Sequence, residues 1–183
     1  MKKIFAIGLI IVILILGASF LIVHPITTGG DVNKSQETIE FSENGVNLLI
    51  PGDWVSAKSN SNSSILAVAD SNTKDSAGFN SINLNVEKKS TYNSLDYEFK
   101  SNYNRLSRNS AYEILYEGNV TIAGTQGMEV GYTSSDTGYL KQHKAIWFKK
   151  DSDIYVILCT APESKWAEEE STFDFIINNM QFN

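Results

Sequence analysis

Cysteine is nearly absent from this 183-residue chain, since Cys159 is the only one. A single thiol excludes an internal disulfide, and no thiol lies near residue 20 to carry the lipid of a lipoprotein anchor. The folded part must therefore depend on its core alone. Cys159 ends the apolar run Ile154–Cys159, which favours a small buried hydrophobic residue over a nucleophile or redox thiol. A reactive thiol needs a cationic, partly exposed setting, which this run does not offer.

Histidine is also scarce, and the familiar catalytic motifs are missing. His24 and His143 are the two histidines, too few for a metal site without further ligands at suitable spacing. We expect His143 to be an exposed strand residue on the same face as Lys141 and Ala145. There is no G-x-S-x-G, no S-x-x-K with a plausible base and no phosphate-binding glycine loop. The sequence therefore assigns no catalytic, cofactor-binding or metal-binding residue, and no cofactor.

One loop has a partial likeness to a calcium-binding loop. Asp70 and Asp75 fit that pattern, but Lys74 stands at an acceptor position and Ser81 stands where a closing glutamate is needed. These departures exclude an EF-hand. Weak contact of a cation with Asp70 and Asp75 stays open.

Basic residues are few outside the N-terminus. Without Lys2 and Lys3, the chain has 13 basic and 21 acidic residues, a net charge of −8. Such a charge argues against a nucleic-acid partner, because that affinity depends on neutralising phosphates. It also disfavours tight docking on anionic lipid.

The longest uncharged segment runs from Ile4 to Val23. As a helix it would span roughly 30 Å, the thickness of a bilayer core. A cleaved secretory signal is the competing interpretation, but its apolar region is shorter and ends at small residues. Here Gly17, Ala18 and Ser19 are followed by four more large apolar residues, which favours an uncleaved anchor.

The charges around this segment predict its orientation and the domain plan. Lys2 and Lys3 precede it, and the next basic residue is Lys34, so the N-terminus is expected in the cytoplasm. We predict a single-pass protein of the cell membrane with its C-terminal domain outside the cytoplasm. The predicted parts are a cytoplasmic N-terminus (1–3), a transmembrane anchor (4–23), a linker (24–36) and one folded domain (37–183).

Alternating apolar residues predict a strand-rich domain. In Ser81–Glu87, for example, we expect Ile82, Leu84 and Val86 to face the core, and Asn83, Asn85 and Glu87 to face solvent. The run Ile154–Cys159 does not alternate, which predicts a central strand buried on both faces. The predicted strands are Thr38–Phe41, Val46–Ile50, Ile65–Ala69, Ser81–Glu87, Tyr112–Glu117, Val120–Ile122, Gly127–Thr133, Tyr139–Lys149 and Asp153–Thr160.

Two helices are predicted. Ser94 is a plausible N-cap for a helix whose apolar face carries Leu95, Phe99, Tyr103 and Leu106. A closing helix is expected after Pro162. We expect Trp54 to be a core residue rather than a binding residue. The apolar residues that recur at helical spacing in the closing helix are Trp166, Phe173, Ile176, Ile177 and Met180.

Three N-glycosylation sequons begin at Asn33, Asn62 and Asn119. Each is expected in a loop or turn, where a glycan can attach. Modification at these positions is a hypothesis, since a chain rich in Asn, Ser and Thr acquires sequons by chance.

The order of elements resembles the PsbP-like family, which includes the photosystem II extrinsic subunit and bacterial and archaeal relatives of unknown function. The resemblance covers roughly residues 37–182. The matching pieces are Val46–Trp54 (V-N-L-L-I-P-G-D-W), Ser94-Leu95-Asp96, Ile122–Tyr132 (I-A-G-T-Q-G-M-E-V-G-Y), and Tyr155–Ala161 with Trp166, Phe173 and Ile177.

The resemblance implies an α+β fold, an α/β/α sandwich. We expect an antiparallel sheet of about six or seven strands with helices on both faces, preceded by one N-terminal transmembrane helix. Photosystem II members of the family support a metal cluster, and a distant relative binds a small GTPase. Neither partner can be transferred, because no functional residue of those proteins matches a position here.

The favoured function is a membrane-tethered, non-catalytic binding or accessory domain that assists or stabilises a membrane or cell-surface complex through an unknown protein partner. One alternative is a small-ligand or lipid-binding module, which a deep apolar cavity would favour. Another is an enzyme of unrecognised type, which a cleft with converging titratable residues would favour.

Overall fold

A computed structural model describes residues 37–74, 78–135 and 138–183. The predicted membrane helix at 4–23, the linker at 24–36 and the sequon at Asn33 lie outside the described residues. Of the helices in the described ranges, none is both long enough and apolar enough to span a bilayer.

The described part of the chain is built mainly from β-strands. Short 3-10 turns follow β4 and precede α2. In chain order the elements are β1 Thr38–Glu43, β2 Val46–Pro51, β3 Trp54–Ser56, β4 Ser64–Asp70, β5 Asn83–Ser90, α1 Leu95–Leu106, β6 Tyr112–Ile122, β7 Thr125–Ser134, β8 Lys141–Lys150, β9 Asp153–Pro162, α2 Trp166–Asn178 and β10 Gln181–Phe182.

The strands form two antiparallel sheets. The larger has seven strands in the order β3-β4-β5-β9-β8-β7-β6, and the smaller has the order β1-β2-β10. Strands β6 to β9 form a meander, because each pairs antiparallel with the next strand along the chain. The predicted antiparallel sheet of about seven strands is confirmed, whereas the small second sheet was not predicted.

Strand β9 separates two cores. Its side chains alternate across the sheet, with Tyr155, Ile157 and Cys159 on one face and Ile154, Val156 and Leu158 on the other. The first face packs against α2 and the small sheet through residues such as Phe173, Ile176 and Phe182. The second packs against α1 through Phe99 and Tyr103. The two helices therefore lie on opposite faces of the seven-stranded sheet, as predicted.

Several local predictions are confirmed. Ser94 caps α1, because its hydroxyl accepts a hydrogen bond from the Tyr97 backbone N–H. Trp54 is 3% exposed and meets the ring of Phe173 edge-on, so it is a core residue. Cys159 is fully buried in the central strand.

The pattern predicted for Ser81–Glu87 is confirmed for the inward residues and wrong for two of the outward ones. Leu84 and Val86 are buried on the α2 side, but Asn85 and Glu87 on the other face are also buried, at 4% and 1% exposed. The face that carries Asn85 and Glu87 would be exposed to solvent only if no other part of the chain packed on it. Here β5 lies inside the sheet between β4 and β9. The loop before β4 also reaches it, since the Lys88 amide donates to the Ser63 carbonyl and Ser61 hydrogen-bonds to the Glu87 carboxyl group.

The region predicted as two strands after α1 is one strand, β6, of 11 residues. Its ladder with β7 continues through Gly118, with a bulge between Ile114 and Tyr116. Asn119 therefore lies in a strand and not in a turn. Strands β3 and β10 were also missed, because three and two residues are too short to show a periodic pattern.

The α1 core contains a hydrogen bond that can be tested. Trp147 Nε1 donates to the Tyr103 hydroxyl at 2.9 Å, and both residues are buried. We predict that Tyr103→Phe lowers the free energy of unfolding by about 1–3 kcal/mol, because the indole N–H loses its acceptor. Chemical denaturation measures this, with Tyr97→Phe as the exposed control.

Adding Trp147→Phe to Tyr103→Phe removes both partners of the hydrogen bond. The loss in the double variant should then be smaller than the sum of the two single losses. Strict additivity would contradict a stabilising role for this hydrogen bond.

Candidate functional site

The side chains best suited to chemical reactions are buried. His143 was expected on an exposed strand face, but it is 6% exposed and stacks on the Tyr132 ring at 4.6 Å. Its Nε2 lies 2.8 Å from Ser134 Oγ, and its Nδ1 lies 2.9 Å from Thr160 Oγ1. The strand register brings these hydroxyls to the ring from β7 and β9. The arrangement resembles a Ser–His pair, but burial keeps substrate away from it.

Cys159 and Tyr103 are also held in unreactive states. Burial raises the pKa of the Cys159 thiol far above its ordinary value, which suppresses the thiolate. Burial likewise raises the pKa of the Tyr103 phenol. Neither group can act as a nucleophile or as a base near neutral pH.

Glu87 is a buried carboxyl group on the α1 side of the sheet. Its Oε1 accepts from Asn85 Nδ2 at 3.2 Å, and Oε2 has no hydrogen-bond partner among the described residues. Burial raises the pKa of Glu87, although Ser61 and Asn85 oppose that shift by favouring the charged form. The side chain therefore holds a proton more tightly than an exposed glutamate does.

An open groove of about 780 Å³ runs along α1. Four of the charged side chains that line it form two ion pairs, Lys89 with Glu98 at 3.0 Å and Lys100 with Asp96 at 2.8 Å, whereas Arg105 and Arg108 form none among the described residues. Burial works against the charge of Glu98, but hydrogen bonds from Asn93, Lys89 and Thr91 outweigh it and lower the pKa. The groove is thus polar, charged and open, unlike a deep apolar ligand cavity.

The acidic loop after β4 is held by its own hydrogen bonds. Asp70 Oδ1 accepts from the Asn72 backbone N–H at 2.8 Å, and the Asp70 carbonyl accepts from Asn80. Asp75 lies outside the described residues, so the cation contact predicted for this pair stays a prediction. Over the described ranges, the His, Cys, Asp and Glu side chains form no group suited to a metal ion.

Two sequons fall in the described part. Asn62 is exposed at a turn, as predicted, and Asn119 is exposed on the edge strand β6. Both side chains are accessible to a modifying enzyme. The expectation that Asn119 lies in a loop or turn is wrong, but glycosylation at both positions stays a hypothesis.

The outer half of the sheet on the α2 side carries the most distinctive exposed surface. Tyr116 is 39% exposed, and its ring packs against Gly131 on the neighbouring strand. A Cβ at Gly131 would be 2.1 Å from Tyr116 Cε1, so only glycine fits under the ring. Sequence reasoning missed this site. The one signal was a glycine inside a predicted strand, which often marks a close approach.

Charged groups surround Tyr116. Lys144, Glu129, Glu170 and Asp174 all lie close enough to act on its phenol electrostatically, while burial is the main cause of its raised pKa. Lys144 Nζ pairs with Asp174 Oδ1 at 2.8 Å. Burial works against the charge of Lys144, but this contact with Asp174 outweighs it and raises its pKa. We name these five side chains the Tyr116 surface.

A family model described as PsbP-like protein matches residues 6–182. The folded domain is also similar to the solution structure of cyanobacterial PsbP (CyanoP) from Synechocystis sp.. That match has a TM-score of 0.55 and 15% identity, and covers 86% of this chain and 99% of the other.

A second similar structure is LpqN, described as involved in cell envelope biogenesis of Mycobacterium tuberculosis. Its TM-score is 0.57 at 12% identity, covering 80% of this chain and 91% of LpqN. Identities this low establish the fold alone. Among curated proteins, none matches the sequence.

The buried Glu87 predicts a pH dependence of stability. Its pKa is higher in the folded than in the unfolded state, so its favourable contribution is complete below the unfolded pKa, near 4.5, and is lost as pH rises through the folded pKa. We predict that Glu87→Gln raises the free energy of unfolding at pH 8 relative to wild type, by about 1–3 kcal/mol. Near pH 4 the two proteins should differ little.

Denaturant unfolding between pH 4 and pH 8 measures the difference between the two proteins. Glu117→Gln, at an exposed position on β6, is the matched control. A difference between wild type and Glu87→Gln that does not change with pH would contradict the account.

Proposed function

The chain belongs to the PsbP-like protein family, and from that premise we propose that it is a membrane-tethered accessory domain that acts by binding. It faces away from the cytoplasm and assists or stabilises a membrane or cell-surface complex through a protein partner. It carries out no catalysis and binds no nucleic acid.

The burial of reactive side chains is the observation that carries this proposal. His143, Cys159 and Glu87 are each at most 6% exposed, so substrate cannot reach them in the folded domain. Beside α1, Lys89 pairs with Glu98 and Lys100 pairs with Asp96. What the domain presents to other molecules is exposed surface, including Tyr116 and Leu115 at 39% and 46% exposed.

The tether is supported by sequence. The uncharged segment 4–23 has the length of a bilayer-spanning helix, and Lys2 and Lys3 favour a cytoplasmic N-terminus. The following linker of 13 residues can place the domain tens of ångströms from the bilayer if extended. A domain with net charge −8 would be repelled by anionic lipid and so stay available to a partner.

One protein of similar fold supports a role in the cell envelope. LpqN is described as involved in cell envelope biogenesis, and this chain shares its fold. A small-ligand or lipid-binding role has less support, because the groove along α1 is open and polar and the cavity beside α2 is only about 280 Å³.

Crosslinking in native membranes tests this function. We predict that the full-length chain, crosslinked in its own cells, sediments with membranes and forms a defined adduct with another membrane or surface protein. External protease should remove the folded domain in intact cells. A matched chain lacking residues 4–23 should leave the membrane fraction and lose the adduct.

Recovery of only the bare chain would count strongly against a binding function. Protection of the domain from external protease in intact cells would contradict the proposed orientation. Release of the wild-type chain by alkaline carbonate would contradict the anchor.

A further inference from the structure

We infer that the partner binds on the Tyr116 surface and inserts an arginine side chain there, with its guanidinium over the Tyr116 ring and against Glu129 and Glu170. This inference rests on the proposed binding function and assigns a site and a partner chemistry to it. The occupant is a segment of a partner protein that presents arginine.

The position of this surface makes it accessible. Helix α2 packs against β9 and β2, whereas Tyr116 lies on β6, the outermost strand at its end of the seven-stranded sheet. The strand register places Tyr116 beside Gly131 and Gly131 beside Lys144. Asp174 borders the same area from α2, with its side chain 48% exposed. The result is a strip of open sheet with α2 along one side.

The ring at the centre is held in place before any partner arrives. The bulge between Ile114 and Tyr116 shifts the register of β6, and the missing side chain of Gly131 leaves space for the ring. The ring thus packs against the sheet at Gly131, and the residue stays 39% exposed. A fixed aromatic ring loses little conformational freedom on binding, which is typical of residues that dominate interface energies.

The charges around the ring select a cation. The positive charge of Lys144 is neutralised by Asp174 at 2.8 Å. Glu129 and Glu170 act on the same ring, and within the described ranges neither forms an ion pair. Glu129 lies against Gly118, where a Cβ would be 3.4 Å from Oε1. The surface therefore offers two carboxylates beside an aromatic face.

Arginine fits this combination best. A cation over a tyrosine face is attracted by the ring, and a carboxylate at its edge adds charge-assisted hydrogen bonds. The planar guanidinium can stack on the ring and form paired hydrogen bonds with a carboxylate at the same time. An ammonium group is not planar and cannot make both contacts in this way.

The full-length ¹⁵N-labelled chain in uncharged micelles tests the chemistry. The probes are acetyl-Gly-Gly-Arg-Gly-Gly-amide and the same peptide with citrulline, a neutral analogue of arginine. We expect saturable shifts of the Tyr116, Glu129 and Gly131 amides with the arginine peptide, and affinity about tenfold lower with citrulline. Tyr116→Leu and Glu129→Gln should each weaken arginine binding at least about threefold, and Glu40→Gln should not.

Equal affinity for both peptides would overturn the inference. So would shifts centred elsewhere, for example on Glu168 and Glu169 at the start of α2, or the absence of a saturable response at the three amides.

A photo-crosslinking amino acid at position 116 or at position 92 separates this inference from the proposed function. Tyr92 is fully exposed at the loop before α1. In native membranes we expect an adduct from position 116, with the crosslinked partner peptide containing arginine. An adduct only from position 92 would overturn the site and leave the binding function standing. If neither position gives an adduct, the result counts against both the site and the proposed binding function. An adduct with a second copy of the chain would overturn the inference in favour of self-association.

Discussion

Burial of β9 on both faces is the constraint on which the rest of the structure depends. A strand with apolar side chains on both sides needs a cover on each face, and α2 with the small sheet provides one while α1 provides the other. Without a disulfide in the described domain, these two cores are the main source of its stability. The same burial removes Cys159, His143 and Glu87 from solvent, so the groups that could do chemistry are used in packing.

The surface that we propose for binding lies at the edge of the sheet. The edge strand β6 lies far from β9 and is less covered by other elements. It has a bulge, exposed side chains and an aromatic ring that packs against a glycine. A domain with a rigid, fully packed centre and an exposed outer strand is well suited to present a fixed surface to another protein. This division between core and edge is the physical basis of the proposed accessory role.

Sequence predicted the parts that depend on local pattern. The apolar run of β9, the Ser94 cap and the core position of Trp54 could all be read from neighbouring residues. The burial of His143 could not, because its hydrogen-bond partners Ser134 and Thr160 come from two other strands. Residue type made Asn85 and Glu87 look exposed, and only the neighbouring strands and loop show that they are covered. The Tyr116–Gly131 contact depends on a bulge that shifts the register, and no periodic pattern contains that information.

Native-state hydrogen exchange tests the central claim most directly, since it measures whether both cores depend on β9. The account predicts that amides of Val156–Cys159 exchange only through global unfolding. It also predicts that amides of Phe99 and Tyr103 in α1, and of Phe173 and Ile176 in α2, share the same opening free energy. Exchange of the α1 amides at a much lower free energy, with β9 still protected, would contradict it, because the two faces would then be independent.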